Sequence, residues 1–342
     1  MSRQLSAGVI GASGYAGAEL LRLAAGHPSL DVKLAAAGSQ AGERLADLYP
    51  SLAPAYPHLV LSATDPACAD GLEVVFLALP HGASQDLVPD LRKRVGTVVD
   101  LAADFRLRDA DLYPLWYGSE HRHPELLGDA VYGIPELFGE HLPGATLVAA
   151  AGCYPTAAAL ALAPLVRSGL VEPSGVVVDA ASGVSGAGRV PRAGTHFNAV
   201  DEDFTAYGLL DHRHTPEIEQ ATRAQVIFTP HLAPMNRGIL ATCYARPTGG
   251  PGAALDPLGE LARFYEGSRF IVVSERPPST KATLGSNSAH LTARHDPRTG
   301  WVLALCALDN LGKGAAGQAI QCANLALGLP EAAGLPVAGV FP

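Results

Sequence analysis

Five cysteines lie at positions 68, 153, 243, 306 and 322, with no C-x-x-C pair among them. Their odd number and scatter argue against a disulfide framework or a thiolate zinc site. Cys68, Cys243, Cys306 and Cys322 fall in apolar or small-residue runs, where an inert buried thiol is expected. Cys153 differs, because Gly152-Cys153-Tyr154-Pro155-Thr156 stands where a strand pattern breaks and a helical pattern begins. A thiol at a helix N-terminus has its thiolate stabilised by unpaired N–H groups, so Cys153 is the candidate nucleophile. His212-Arg213-His214-Thr215-Pro216-Glu217 adds two imidazoles able to move protons near neutral pH. Thr215 reads there as an N-cap, with Pro216 at the first helical position. A solvated loop is the alternative for such an H-x-H pair, and the second one, His121-Arg122-His123, receives no role.

A second chemistry is suggested by Gly11-Ala12-Ser13-Gly14-Tyr15-Ala16-Gly17, which follows the first strand pattern and opens the first helix. Glycines there let backbone N–H groups approach a pyrophosphate at the positive end of a helix. The spacing is G-x-x-G-x-x-G, weaker alone than G-x-G-x-x-G, and its place in an alternating β/α stretch supports the nucleotide reading. The second strand ends in Ala35-Ala36-Ala37-Gly38-Ser39-Gln40, without the acid that would grip a ribose 2′-hydroxyl. Ser39 can donate to a 2′-phosphate, so NADP is favoured over NAD. Leu79-Pro80-His81-Gly82 ends another strand on the same edge and offers a second wall.

Ser182-Gly183-Val184-Ser185-Gly186-Ala187-Gly188-Arg189 is too glycine-rich for a strand interior and reads as a loop whose backbone approaches a ligand, or as a hinge. Arg106, after the strand pattern TVVDLA, suits bidentate capture of a phosphate or carboxylate, with a surface ion pair as the alternative.

These residues need a scaffold. The first half alternates AGVIGA, VKLAAAGS, EVVFLALP, TVVDLAADF and TLVAAAGC with helical patterns, which predicts a parallel sheet with crossover helices over residues 1–150. From 151 to 310 the strand-like runs VVVDAASG, QVIFTPHLAP, GILATCYARP, FIVVSE and WVLALCALDN predict an α+β domain on a mostly antiparallel sheet. A closing amphipathic helix within 311–342 is expected to complete the first domain. The chain's 342 residues, 48% apolar, suit two domains with sizeable cores. Net charge −9 and 17% charged residues leave no basic excess for a nucleic acid or an anionic membrane. The N-terminus carries no leader pattern and no apolar run reaches membrane-spanning length, so a cytoplasmic protein is expected.

Taken in order, GASGYAG, LALPHG, ADFR, AGCYPTAA, SGVSGAGR, HRHTPEI, RGILAT and DNLGKGAAGQAIQCAN resemble the N-acetyl-gamma-glutamyl-phosphate reductases along nearly the whole chain. The resemblance implies a Rossmann-type domain and a catalytic domain like that of aspartate-semialdehyde dehydrogenase. It implies an NADPH-dependent reduction of an acyl phosphate through a thioester on Cys153, with His214 or His212 as acid/base and no metal. It further implies NADP contacts from Gly11, Ser13, Gly14, Tyr15, Ala16, Gly17, Ser39, Pro80, Ser185, Gly186 and Asn310. Substrate contacts fall to Arg106, Arg189 and Glu217, and a homo-oligomer, dimer or tetramer, is expected. Asn236 and Gly312 depart from the family's usual residues. A related acyl phosphate, aspartyl or carrier-linked aminoadipyl, is the rival substrate, and Tyr154-Pro155 fits the glutamyl enzymes better than the aminoadipyl ones. A regulatory thiol on a dinucleotide-binding protein and a hydrolase with His212 and His214 as metal ligands are the readings from other classes.

Overall fold

The computed structural model describes residues 4–249 and 255–341. Six helices of eight residues or more occur among them: α1 (Tyr15–Ala25), α2 (Ser84–Leu91), α3 (Cys153–Arg167), α4 (Thr215–Thr222), α5 (Pro257–Phe264) and α6 (Gly317–Ala326). The chain forms two compact units, one containing 4–113, 119–151 and 315–335, the other 114–118, 152–314 and 336–341. The segment completing the first unit therefore ends at 335. Residues 336–341 lie in the second, where the Asn287 N–H donates to Pro336 O (2.8 Å) and the Val340 N–H to Leu284 O (2.7 Å).

In the first unit, β1 (Leu5–Ile10), β2 (Leu30–Ala36), β3 (Val74–Leu77), β4 (Thr97–Asp100), β5 (Val131–Gly133) and β6 (Leu147–Ala150) form one parallel sheet in the order β2-β1-β3-β4-β6-β5. Every residue of β3, β4 and β6 is buried, as in a sheet covered on both faces, which is why these strands read as continuous apolar runs. The short edge strand β5 has no such run and escapes the sequence pattern. Its Gly133 lies so close to α6 that a Cβ would stand 2.8 Å from Cys322 Sγ.

In the second unit, β7 (Val176–Gly183), β8 (Thr205–Ala206), β9 (Val226–Ala233), β10 (Ile239–Ala245), β11 (Ile271–Val273), β12 (Ala289–Asp296) and β13 (Trp301–Leu308) form a mixed sheet, order β11-β12-β13-β10-β7-β9-β8. All pairs are antiparallel except β11 with β12 and β7 with β9. β12 is missing from the sequence-based reading because its inward residues Ala289, Leu291 and Ala293 alternate with polar ones and it ends in Arg294-His295-Asp296.

α3 is buried along its length, from Tyr154 to Leu165 without a break, and its alanines let β10, β12 and β13 approach closely. Pro164 inside this helix has no N–H to give Leu160 O. The buried Tyr265 hydroxyl donates to that carbonyl instead (2.7 Å).

β13 ends at Leu308 and is followed by Asp309, whose side chain has no exposed surface and builds the following turn. Its Oδ1 accepts the N–H groups of Leu311 (2.9 Å) and Gly312 (3.0 Å) and both Nε and Nη2 of Arg237 (3.1 and 3.0 Å), while Oδ2 accepts the Gly285 N–H (2.6 Å). Gly312 has no room for a side chain: a Cβ would overlap Ser286 O. Replacing Asp309 by Ala strands several buried donors, and urea unfolding should show a loss of about 3 kcal/mol.

Candidate active site

In the first unit, the turn after β1 is shaped for a close approach. Gly11 has φ +90°, and a Cβ there would overlap Ala78 O; a Cβ on Gly17 would overlap Gly11 O. Gly14 caps α1 with extended backbone and no side-chain hydrogen bond, and no acid occupies the first turn. That leaves the first-turn N–H groups, from Tyr15 onward, to bind an anion. Tyr49 fixes the turn from behind, its hydroxyl donating to Ser13 O (2.8 Å). β2 ends at Ala36, and Gly38 and Ser39 beyond it are exposed with no carboxylate beside them. Pro80 is also exposed, in the turn after β3. The turn fits a dinucleotide pyrophosphate.

Arg106 is buried in this unit, its Nε donating to Ala150 O (2.8 Å) and Nη2 to Leu101 O (2.6 Å). The guanidinium is thus oriented by two strand-end carbonyls, which excludes the alternative of a surface ion pair. His121 is buried too, with Nε2 2.7 Å from Asp104 O and its ring edge-on to Phe105 and Tyr113.

In the second unit, Cys153 is the first residue of α3, following Gly152, which offers no side-chain cap. The strand-to-helix turn is pinned through Gly152: its N–H donates to Glu217 Oε1 (2.7 Å), and its carbonyl accepts the Thr156 hydroxyl (2.8 Å). Glu217 has no exposed surface, so the contact found for it is with this backbone. Gly314 closes the other side, where a Cβ would stand 2.8 Å from that of Cys153. Cys243, Cys306 and Cys322 are buried as expected, whereas Cys68 is exposed because Pro66–Ala69 forms a surface 3₁₀ turn.

The imidazoles arrive on α4. His214, not Thr215, is its N-cap, because the His212 carbonyl already turns back to accept the Thr215 N–H (2.9 Å); Pro216 is then the second helical residue. The Tyr154 ring lies 6.0 Å from His212 and 6.1 Å from His214, and the two imidazoles are 4.9 Å apart. The Tyr154 hydroxyl donates to His231 O (2.9 Å) and accepts from Tyr207 (3.3 Å). Burial pushes the Tyr154 phenol far up and that of Tyr207 to about 12, so both stay neutral donors.

His212 and His214 are not equivalent. His212 Nδ1 accepts the His214 N–H (3.2 Å), and the His212 ring is walled by Tyr154, Tyr207 and Phe228. Burial, helped by the Arg213 charge and opposed by Asp211, lowers His212 to about 4. It is therefore a neutral wall of the site near pH 7.

Ser182 and Gly183, expected in a loop, end β7, and Val184–Ala187 forms a 3₁₀ turn rather than an open loop. Asn310 locks it, Nδ2 donating to Ser185 Oγ (2.9 Å) while Oδ1 accepts the Gly238 N–H (2.7 Å). The backbone of Asn236 sits so close to Gly183 that a Cβ would stand 2.7 Å from Asn236 O. Gly186 and Arg189 are exposed. Among the described residues no group of three or more His, Cys, Asp or Glu side chains is placed to hold a metal ion, and no helix is long and apolar enough to cross a membrane. Tyr207 is a site-building residue outside the motifs, and Asp309 and Gly314, though inside DNLGKGAAG, owe their place to Arg237, Gly285 and Cys153, partners distant in sequence that the motif does not show.

Residues 6–145 match the NAD binding domain of the semialdehyde dehydrogenases and 153–310 their dimerisation domain. The fold agrees with solved structures of aspartate semialdehyde dehydrogenases, one from Vibrio cholerae (TM-score 0.70, 15% identity, 95% of this chain and 98% of that one) and one with NADP from Candida albicans (0.64, 16%, 94% and 98%). Among curated proteins, the N-acetyl-gamma-glutamyl-phosphate reductase of Symbiobacterium thermophilum is 49% identical over 98% of this chain and 99% of its own. Those of Desulforudis audaxviator (47%; 99% and 100%) and Magnetococcus marinus (43%; 100% of both) are similar. The chain belongs to the N-acetyl-gamma-glutamyl-phosphate reductase family.

His212 supplies a pH test. Its folded-state value lies below the usual 6.5, so its contribution to stability is present above about 6.5 and lost as pH falls toward 4. Between pH 7 and 4.5 the wild type should lose roughly 2–3 kcal/mol more than His212→Gln, read by urea unfolding at both values.

Proposed function

We propose that this chain reduces N-acetyl-L-glutamyl 5-phosphate to N-acetyl-L-glutamate 5-semialdehyde and phosphate, with NADPH, as a cytoplasmic step of arginine biosynthesis. The observation that carries this reading is Cys153 at the first position of α3, beyond an uncapped Gly152 that buried Glu217 pins in place. In that position the thiolate faces the helix N-terminus and attacks the acyl carbon, and the C–O bond to phosphate breaks to leave a thioester. NADPH, when bound, supplies the hydride that a thioester accepts more readily than a carboxylate. Neutral His212 cannot deliver a proton readily, which leaves His214 as the residue that holds and moves it, with His212 orienting its backbone.

The Gly11–Gly17 turn would hold the dinucleotide phosphates, and the absence of an acid after β2 would admit a 2′-phosphate beside Ser39. Pro80, Ser185, Gly186 and Asn310 are the remaining cofactor candidates, and Arg106, Arg189 and Glu217 those for the substrate. The buried orientation of Arg106 supports a substrate anion and that of Glu217 a positioning duty. Aspartyl phosphate is the rival substrate. The names of the 43–49% identical relatives favour the glutamyl compound, while the aspartate enzymes share only the fold.

The reverse reaction tests the reading: NADP+, phosphate and N-acetylglutamate semialdehyde should yield NADPH absorbance, with aspartate semialdehyde and NAD+ as poor replacements. Cys153→Ser should lower turnover by several orders of magnitude while NADPH binding is kept. Essential turnover through Cys68, Cys243, Cys306 or Cys322 would defeat the covalent route. Arg106→Lys keeps the charge and loses the planar fork, so KM or kcat should suffer.

A second copy of the chain is the proposed partner, seated on the face of the second sheet that carries Val177, Tyr244, Leu303 and half-buried Trp301, with Ile227 54% exposed on β9. The description of this domain as a dimerisation domain supports it. Sedimentation should show Leu303→Asp shifted toward monomer.

A further inference from the structure

The first unit buries two carboxyl groups, Asp100 at the end of β4 and Asp104 in the turn that follows, and places one serine between them. Ser84 Oγ lies 2.6 Å from Asp104 Oδ2 and 2.8 Å from Asp100 Oδ2. A hydroxyl has one proton and can donate to only one of the two. Asp104 also accepts the N–H groups of Gly82 (2.8 Å) and Ser84 (3.1 Å), and its Oδ1 stands 2.6 Å from His81 Nδ1. So many donors hold Asp104 as the anion and draw the serine proton to it. Ser84 must then accept from Asp100, and the proton in that bond has to be the one on Asp100 itself. The electrostatics agree. Burial and the Asp104 charge push the Asp100 carboxyl up to about 8, against the pull of the Ala102 N–H, the Ser84 hydroxyl and Arg106. Burial works against ionised Asp104 as well, but His81, Ser84 and the Gly82 N–H outweigh it and hold that carboxyl far below the usual range.

We propose that Asp100 is a neutral acid at pH 7, and that Asp100, Ser84 and Asp104 are positioning residues for the His81–Gly82 turn, where the dinucleotide is held. The positioning role rests on the NADPH reading above. The turn follows exposed Pro80 at the end of β3, the strand paired with β1, and Gly82 has φ +89°. Asp104 Oδ1 accepts the Gly82 N–H and lies 2.6 Å from His81 Nδ1, so one carboxylate meets both residues of the turn. Ionising Asp100 sets two buried anions against one serine proton, so the grip on the turn and the dinucleotide affinity should fall together. The other charged and titratable groups around this network are Arg106, His81, His121 at the Asp104 carbonyl, Tyr113 donating to the same carbonyl, and Arg122, which reaches Gly82 O and pairs with Asp86. Of these, His121 has its proton affinity lowered by burial, and His81→Gln removes the remaining imidazole as a control.

NADPH affinity of the full chain, followed by nucleotide fluorescence from pH 6 to 9.5, tests the role. Wild type should weaken about tenfold per unit above the Asp100 transition, and Asp100→Asn, which mimics the neutral acid, should show no such alkaline fall. Ser84→Ala and Asp104→Asn should weaken binding across the range. The proton itself is read by melting. A folded value above the usual carboxylate range contributes stability that is complete below about pH 4 and lost as pH rises toward 8. The melting temperature of Asp100→Asn should therefore climb relative to wild type between pH 5 and 8. An unchanged melting difference across that range overturns the neutral acid. An alkaline fall that Asp100→Asn reproduces overturns the positioning role alone. A wild type that binds no NADPH at any pH refutes the cofactor reading and the positioning role together, while the melting comparison still decides the protonation of Asp100.

Discussion

The hydrogen bond from the Gly152 N–H to buried Glu217 is the constraint on which the thiol site depends. A helix start leaves its first N–H groups without intrahelical partners, and ordinary helices cover them with a side-chain cap. Here the cap position is a glycine that covers nothing, so the positive end of α3 faces the sulfur of its first residue. Such a turn needs anchoring from elsewhere, and α4 supplies it by placing Glu217 one turn beyond His214. Glu217, which fixes the turn before Cys153, and His214, the proposed proton carrier, thus belong to one short helix and its cap, so a shift of that helix moves both. Gly314 and the Asp309 turn hold the opposite side, where a single added carbon would push against Cys153.

The two glycine-lined turns use the same physics for different ends. At Gly11–Gly17, absent side chains leave the N-terminus of α1 open to an anion. At Gly152, the absent side chain leaves the N-terminus of α3 open beside the sulfur of Cys153. In both cases the field is available because no carboxylate caps the helix, and in both a distant residue, Tyr49 or Glu217, secures the backbone from behind.

Much of this was legible in the sequence because it is written in short, local patterns. The continuous apolar runs of β3, β4 and β6 and the break at Gly152-Cys153 follow directly from residue type. Partners distant along the chain were not legible. Nothing near Glu217 indicates that its carboxylate caps Gly152, and nothing near Arg106 that two strand-end carbonyls hold its fork. The difference between His212 and His214 is one of contacts, His212 accepting the His214 N–H among three aromatic rings, which H-x-H spacing does not carry. β12 was hidden because a strand between two others can alternate small apolar and polar residues, and β5 because three residues carry too little pattern.

Pro164 and Tyr265 illustrate how such distant pairs depend on each other. The proline leaves the Leu160 carbonyl without its helical donor, and the tyrosine hydroxyl takes the vacancy. Either residue alone is a liability: a proline without the phenol leaves a bare carbonyl in the core, and a phenol beside an ordinary helix leaves its hydroxyl competing for an occupied acceptor. The two positions are therefore energetically coupled across about a hundred residues of chain: changing one alone leaves a polar group to be stranded in the core, whereas changing both together removes the vacancy and its occupant at once.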